Sequence, residues 1–477
     1  MGVTSAAPAE GRLRRASPMS GWTTPRWILT LAAVCVFLAV VLGAFASLVV
    51  GTVRDGVTVI GREAAPQVSA ATGLYFALSD MDAQIANVLL VGNDPGFTGH
   101  RQEALDTYQQ RRIEANRALW RMGIDDSSQQ AVNEVLDRLG RYESLAGQII
   151  VLNERESNPA GRPSTAVLER HRQATDLMND TLRIVRGLTT TNHDLLNRTY
   201  VGKHAGIEDA RLWLWIIGGL LVVALVAVQV FLRVRLRRRL NPAILFATVI
   251  VGGVVVVGSA ALSREVRDLE VAKANAFDSI AALSQARAVG YDANADESRY
   301  LVDPGRAARY EQSFVDKSQS LVALKETRIS QFDGAFDDAL RAYRNDNTDV
   351  RFGGYFGTEM NNITFAGERE AAERALAGYQ VYQRDDRRIR QLAASGDLRG
   401  AIAFCIATTP GNSNYNFAQY DQALLAVIDI NQRAFDPAVG DAETELTGWG
   451  DLVPLGVPVV VTVLVGIGLW PRLVEYR

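Results

Sequence analysis

Cysteine is nearly absent from this chain of 477 residues: Cys35 lies in an apolar run and Cys405 in a distant polar segment. The two are not placed to pair, so no disulfide framework is expected and packing must hold the fold. In the context AIAFCIA, Cys405 reads as a small buried hydrophobe rather than a nucleophile. Histidine is equally scarce. His100, His171, His193 and His204 form no HxxxH pair and have no cysteine beside them, which argues against a metal site. The phosphate-cradling G-x-x-x-x-G-K-[ST], the dinucleotide G-x-G-x-x-G and the nucleophile elbow G-x-S-x-G are all missing. We therefore expect no enzyme, no cofactor and no nucleic-acid partner.

Charge is missing from four long apolar stretches, 28–50, 212–232, 243–262 and 452–470, none of which holds an Asp, Glu, Lys, Arg or His. Stretches of about 20 such residues are long enough to cross a bilayer as helices. Without an ionisable group inside them there is no proton relay or counter-charge, which weighs against a pump or secondary transporter.

What is present is arginine in particular places. The tail 1–27 carries Arg12, Arg14, Arg15 and Arg26, the connection RVRLRRRLNP at 233–242 carries Arg233, Arg235, Arg237, Arg238 and Arg239, and the tail 471–477 carries Arg472 and Arg477. Short arginine-rich pieces stay in the cytoplasm, so both termini and the 233–242 loop are expected inside, with 51–211 and 263–451 outside. Six of the seven tryptophans flank the apolar stretches, as an interfacial belt would; Trp120 is the exception. The small-x-small pattern Ala44-Phe45-Ala46 before Ser47 leaves signal-peptide cleavage open, although the apolar run continues past it.

Both outer segments have helical periodicity. Val68, Ala71, Leu74, Leu78, Met81, Ile85 and Val88 recur at steps of three or four, and Pro66 should kink that helix or mark a handover. Leu105, Tyr108, Ala115, Leu119 and Met122 predict a second helix; Val132, Val135, Leu139, Tyr142 and Ile149 a third; Leu177, Ile184, Leu188 and Leu195 a fourth. Four such helices make an up-down-up-down bundle. The stretch DMDAQIANVLL from Asp80 stands against DANADESRYLV from Asp292, 212 residues later, and each is soon followed by Asp-Pro-Gly. The expected architecture is thus an all-α membrane protein with four transmembrane helices and two extracytoplasmic four-helix bundles arranged as a tandem repeat. Pro454 and Pro458 predict a kinked or locally unwound fourth span. Small residues at Gly43 and Ser47, Gly218 and Gly219, and Thr248 and Gly252 should let the spans pack closely.

Candidate contact residues are few. Arg299, Arg306 and Arg309 cluster with Tyr300 and Tyr310, a combination that can hold a carboxylate ligand, but Asp292, Asp296, Glu297 and Asp303 beside them offer surface ion pairing instead. Tyr355 and Phe356, in the glycine-rich stretch FGGYFG, could form a partner-contact patch or fold back on their own bundle. The run Arg384-Asp385-Asp386-Arg387-Arg388 reads as a solvated helical face. The arginine loop sets topology. It could also bind anionic lipid, at roughly 1 kcal/mol per arginine, or dock an acidic cytosolic protein with Leu236 and Leu240 as anchors.

Long helical bundles between spans resemble the sensor domains of bacterial chemoreceptors and histidine kinases. The stretches VGYDANADESRYL (289–301), GDLRGAIAF (396–404) and FAQYDQALLAVIDINQRAF (417–435) resemble the actinobacterial GlnX-type membrane proteins. That resemblance implies tandem bundle modules, an amino-acid-binding solute-binding lipoprotein received on the outer face, and a signal passed to a soluble serine/threonine kinase or other regulator inside. It carries over no individual functional residue. A homo-oligomer, a cell-envelope scaffold and an accessory subunit of a transport system remain open alternatives.

Overall fold

The computed structural model describes residues 24–122, 129–236, 241–325, 328–449 and 452–474. They are all-helical, with one isolated two-residue bridge between Ala323 and Gly353. In chain order the helices are α1 (Thr24–Thr58), α2 (Ala65–Val91), α3 (Thr98–Met122), α4 (Gln129–Glu156), α5 (Thr165–Leu236), α6 (Pro242–Glu270), α7 (Asp278–Val302) and α8 (Ala307–Leu321). Then follow α9 (Ile329–Asn345), α10 (Gly354–Asn362), α11 (Glu368–Ala394), α12 (Leu398–Ile406), α13 (Ser413–Trp449) and α14 (Leu452–Val474). Two π-helical segments, Val59–Ala64 and Val271–Phe277, lead into α2 and α7. Their starts are 212 residues apart, the offset at which the two long polar segments align in sequence. Pro66 falls just after the first π-helical segment, at the start of α2, where its missing N–H costs little.

The chain divides into two compact units. One gathers the described residues of 1–51, 208–263 and 447–477 around Cys35, Ala39, Leu42, Leu221, Leu225, Val251, Val461 and Val465. Its outer surface is apolar, with Phe37, Val223, Val249 and Val459 all exposed. Close packing falls on some of the expected small residues and not others. A Cβ on Gly43 would lie 2.4 Å from the Pro454 carbonyl oxygen and one on Gly218 2.2 Å from Val255, whereas Gly219 and Gly252 face open space. Asn241 caps α6 through Ala243 N–H and donates to the Gly468 carbonyl at 2.7 Å. Of the two outcomes expected at Pro458, a kink or a local unwinding, the unwinding does not occur: α14 stays helical through it.

The other unit comprises the described residues of 52–207 and 264–446 and has one continuous hydrophobic core to which both segments contribute. At its centre α2 packs along α7. In α2, 21 of 27 residues are buried and in α7 19 of 25, so neither helix has a solvated face. Both are rich in alanine, which allows close approach of helices. The buried positions of α3 and α4 include those the periodicity marks from Tyr108 to Met122 and from Val132 to Ile149, whereas Leu105 is half-buried and Ala104 takes its place in the seam. On α5 the expected Leu177, Ile184 and Leu188 pack half-buried at the edge of the core, and the fully buried seam runs beside them. Ala174, Met178, Leu182, Val185 and Leu196 are buried, while Leu195 is exposed, because the true seam also contains His171, Thr175, Thr181, Thr189 and Asn192, which a search for apolar residues passes over. Each Asp-Pro-Gly stretch makes a 3-10 turn. At the tip of α2, Gly92 takes a φ of +52°, and a Cβ there would lie 2.7 Å from the Asn158 carbonyl oxygen.

Among the described residues, five helices are long and apolar enough to cross a membrane: Arg26–Thr52, Ala65–Val91, Thr165–Val234, Pro242–Val302 and Pro454–Pro471. Ala65–Val91 is the one enclosed by protein, since it is α2.

Candidate functional site

A helix with no solvated face must satisfy every charge it carries from inside the protein. Residues 65–91 contain Asp80 and Asp82 but no Lys, Arg or His, so the cations come from elsewhere. Asp82 Oδ1 accepts the Tyr142 hydroxyl of α4 at 3.0 Å, and Oδ2 accepts Thr175 of α5 at 3.3 Å. Oδ2 also takes Nε and Nη2 of Arg299, on α7, at 3.1 and 2.7 Å. Arg299 lies on the same helical face as Asp292 and Asp296. Its Nη1 donates to them at 3.3 and 2.5 Å. Lys317 of α8 closes the network at 2.8 Å from Asp292 and 2.6 Å from Asp296. Tyr75 links it outward, accepting from Arg186 at 2.7 Å and donating to Asp292 at 3.4 Å.

Arg299 is 1 % exposed, and burial alone would lower its pKa. The carboxylates of Asp82, Asp296 and Asp292 outweigh that and hold it well above its ordinary value. Burial likewise pushes Asp292 up, but Lys317 and Arg299 bring it below the usual carboxylate range. Tyr142 is raised by burial and by the charge of Asp82. His171, fully buried near Asp82, Arg299, Asp303 and Arg306, is lowered to about 4, chiefly by burial, and neither ring nitrogen has a hydrogen-bond partner. It is neutral at physiological pH. The network is therefore a fixed electrostatic tie between chain segments. Removing one partner from such a buried pair costs about 3–5 kcal/mol, much more than forming it gains.

A second tie runs through Phe76. Arg111 of α3 and Arg287 of α7 both lie over its ring, 4.5 and 4.2 Å from the centroid. Arg111 pairs with Asp80 at 2.6 Å, and Arg287 pairs with Asp421 of α13 at 2.6 and 3.0 Å. These stacked cations bind α2, α3, α7 and α13 with both charge and aromatic surface.

The sequence candidates do not converge on one ligand site. Arg299 is a core residue and its ion pairs are internal, contrary to the surface pairing expected. Arg306 and the exposed Arg309 each pair with Asp176 of α5 at 3.0 Å. Half-buried Tyr300 carries Arg390 over its ring at 4.5 Å. Tyr355 is half-buried, whereas Phe356 is wholly buried against Tyr379 and Tyr420 at 5.9 and 6.3 Å. Phe356 thus has no surface for a partner; it anchors α10. In the 384–388 run, Asp385 and Asp386 are buried, and Asp386 pairs with Arg390 at 2.8 Å, so only part of that face is solvated. Of the arginine connection, Arg233 is exposed and Arg235 lies in the last turn of α5; Arg237, Arg238 and Arg239 fall outside the described residues. Asp82, Tyr142, Thr175 and Lys317 were not singled out as site residues. The available signal was the DMD triplet, two acids in a helix apolar on all sides.

Among the described residues, no group of three or more His, Cys, Asp or Glu is placed to hold a metal ion. Residues 56–201 match the family model of an actinobacterial sensor domain. No curated protein and no solved structure matches the chain. The matched stretch supports an actinobacterial sensor protein with a role in sensing or signalling. It supplies Asp80, Asp82, Tyr142, His171 and Thr175, while Arg299 and Lys317 come from beyond it.

Proposed function

We propose that the protein is a four-pass membrane signal relay without catalysis of its own. In this reading 28–50, 212–232, 243–262 and 452–470 cross the bilayer, both termini and the 233–242 loop are cytoplasmic, and α2 is a core helix of the outer unit. The outer segments are tandem copies of one bundle that receive a small ligand or an amino-acid-binding lipoprotein. The inner face, through Arg233, Arg235, Arg237, Arg238 and Arg239, passes the signal to a soluble partner such as a serine/threonine kinase. The observation that carries this is α5: one helix from Thr165 to Leu236 holds the end of the sensor-domain match, a long apolar stretch and the first two arginines of the connection. A displacement of roughly 1–2 Å along such a helix is a sufficient signal.

The test is crosslinking of intact cells, followed by purification in detergent and mass spectrometry of what is attached. A solute-binding lipoprotein together with a cytosolic kinase or regulator supports the relay. Envelope components alone, with replacement of the loop arginines by glutamine changing nothing, would replace it with a scaffold.

A further inference from the structure

α10 sits against the second π-helical segment. The side-chain amide of Asn362, at the end of α10, donates to the carbonyl oxygens of Ala274 and Asn275 at 2.9 and 3.0 Å and lies 3.0 Å from Ser279 Oγ. A π-helical turn interrupts the regular i to i−4 backbone ladder and is frequently found at functional sites. Here a single amide takes up two of its carbonyls. One turn earlier on α10 stands Glu359, fully buried, with no donor in hydrogen-bonding geometry to either carboxyl oxygen.

Its neighbour is a second buried acid. Glu368, in the first turn of α11, accepts the backbone N–H groups of Thr364 and Phe365 at 2.7 and 2.8 Å and Asn431 Nδ2 of α13 at 2.6 Å. Glu368 thus has three donors, whereas Glu359 has none. Burial and the charge of Glu368 raise Glu359 to about 8, with Ser279 pulling the other way. The cations on nearby elements are committed elsewhere. Lys273 of the π-helical segment binds Asp278 at 2.9 Å, Lys317 of α8 binds Asp292 and Asp296, and Arg369 of α11 binds Tyr343.

We propose that Glu359 and Glu368 share one proton, and that this proton is a latch keeping Asn362 seated on the π-helical segment Val271–Phe277. With the proton present, one neutral and one charged carboxyl group sit side by side. Its loss to solvent leaves two adjacent buried anions with no cation between them, a state relieved by moving α10 away. Asn362 then releases Ala274 and Asn275. The latch is held fully below the ordinary carboxylate pKa and lost as pH rises through about 8. An alkaline shift at the outer unit would thus be an input distinct from ligand binding, and it does not depend on which partner the relay engages.

Hydrogen exchange of the full-length protein in nanodiscs tests this, comparing peptides covering 271–279 and 354–368 between about pH 6 and about pH 9.5 after correction for intrinsic exchange rates. Protection in the wild type should fall above about pH 8, by up to roughly tenfold per pH unit. Glu359→Gln, which imitates the protonated side chain, should keep protection throughout. Asn362→Ala should lose it in 271–279 at every pH. A wild type with flat protection, or a Glu359→Gln variant that titrates like the wild type, overturns the proposal. If Asn362→Ala failed to fold, a carboxylic-acid infrared band that disappears in the wild type at alkaline pH and is missing from Glu359→Gln would decide it. Absence of that band would also overturn the latch.

Discussion

The two central helices of the larger unit, α2 and α7, solve the problem of buried charge differently. α2 brings two acids and no base, while α7 brings Asp278, Asp292, Asp296 and Glu297 together with Arg287 and Arg299. α7 pairs much of its charge within itself and has cations to share. α2 depends wholly on neighbours: Arg111 from its own segment neutralises Asp80, and Arg299 from the other segment neutralises Asp82. The sensor-matched segment therefore needs the second segment for electrostatic reasons as well as for apolar contact.

The strongest way to break that dependence is Arg299→Met, which leaves Asp82, Asp292 and Asp296 buried around Lys317 alone. We expect a loss of about 3–5 kcal/mol, seen as a large drop in thermal unfolding temperature in detergent. An unchanged melting temperature would show that the apolar core alone joins the helices. Acid is the next lever, acting through His171. Its folded-state pKa is depressed from 6.5 to about 4, so the unfolded chain binds the extra proton more readily between those values. Stability is complete above about pH 6.5 and falls by about 3 kcal/mol as pH drops towards 4. A His171→Leu variant should show that much less pH dependence when the two unfolding curves are compared from neutral to acid. Smallest is Arg399→Ala. Its salt bridge to Asp94 also joins the two segments, at 2.7 Å, but Arg399 is 71 % exposed. The expected loss is about 0–1 kcal/mol, measured by chemical denaturation. A loss comparable to that of Arg299→Met would mean that burial is not what separates the two ties.

The seams of α3 and α4 and the two Asp-Pro-Gly turns were legible because each is a local pattern: apolar residues at helical spacing, or a proline and glycine at a helix end. The α5 seam was read only at its edge, where Leu177, Ile184 and Leu188 lie, because its centre includes a histidine, an asparagine and threonines that satisfy themselves inside. Thr181 and Thr189 do so by donating to carbonyls four residues back. The junction of the two segments left no local trace, since Asp82 and Arg299 are 217 residues apart and each looks like an ordinary charge in its own stretch. The offset of 212 residues was visible, but an offset does not say that the two aligned helices lie against each other. Phe356 shows the same limit: glycines around an aromatic suggest a loop, whereas here they begin a short helix whose ring is buried among Tyr379 and Tyr420.

The distance between Asp82 and Arg299 along the chain also sets a clock. At roughly 5–20 residues per second, synthesis takes roughly 10–40 s to pass from one to the other. During that interval α2 is already made, with an acid meant for the protein interior and an apolar surface meant for α7, and its cation does not yet exist. The newborn first segment has to be kept from wrong partners until the second arrives, so the charge network ties the fold's completion to the last half of the chain.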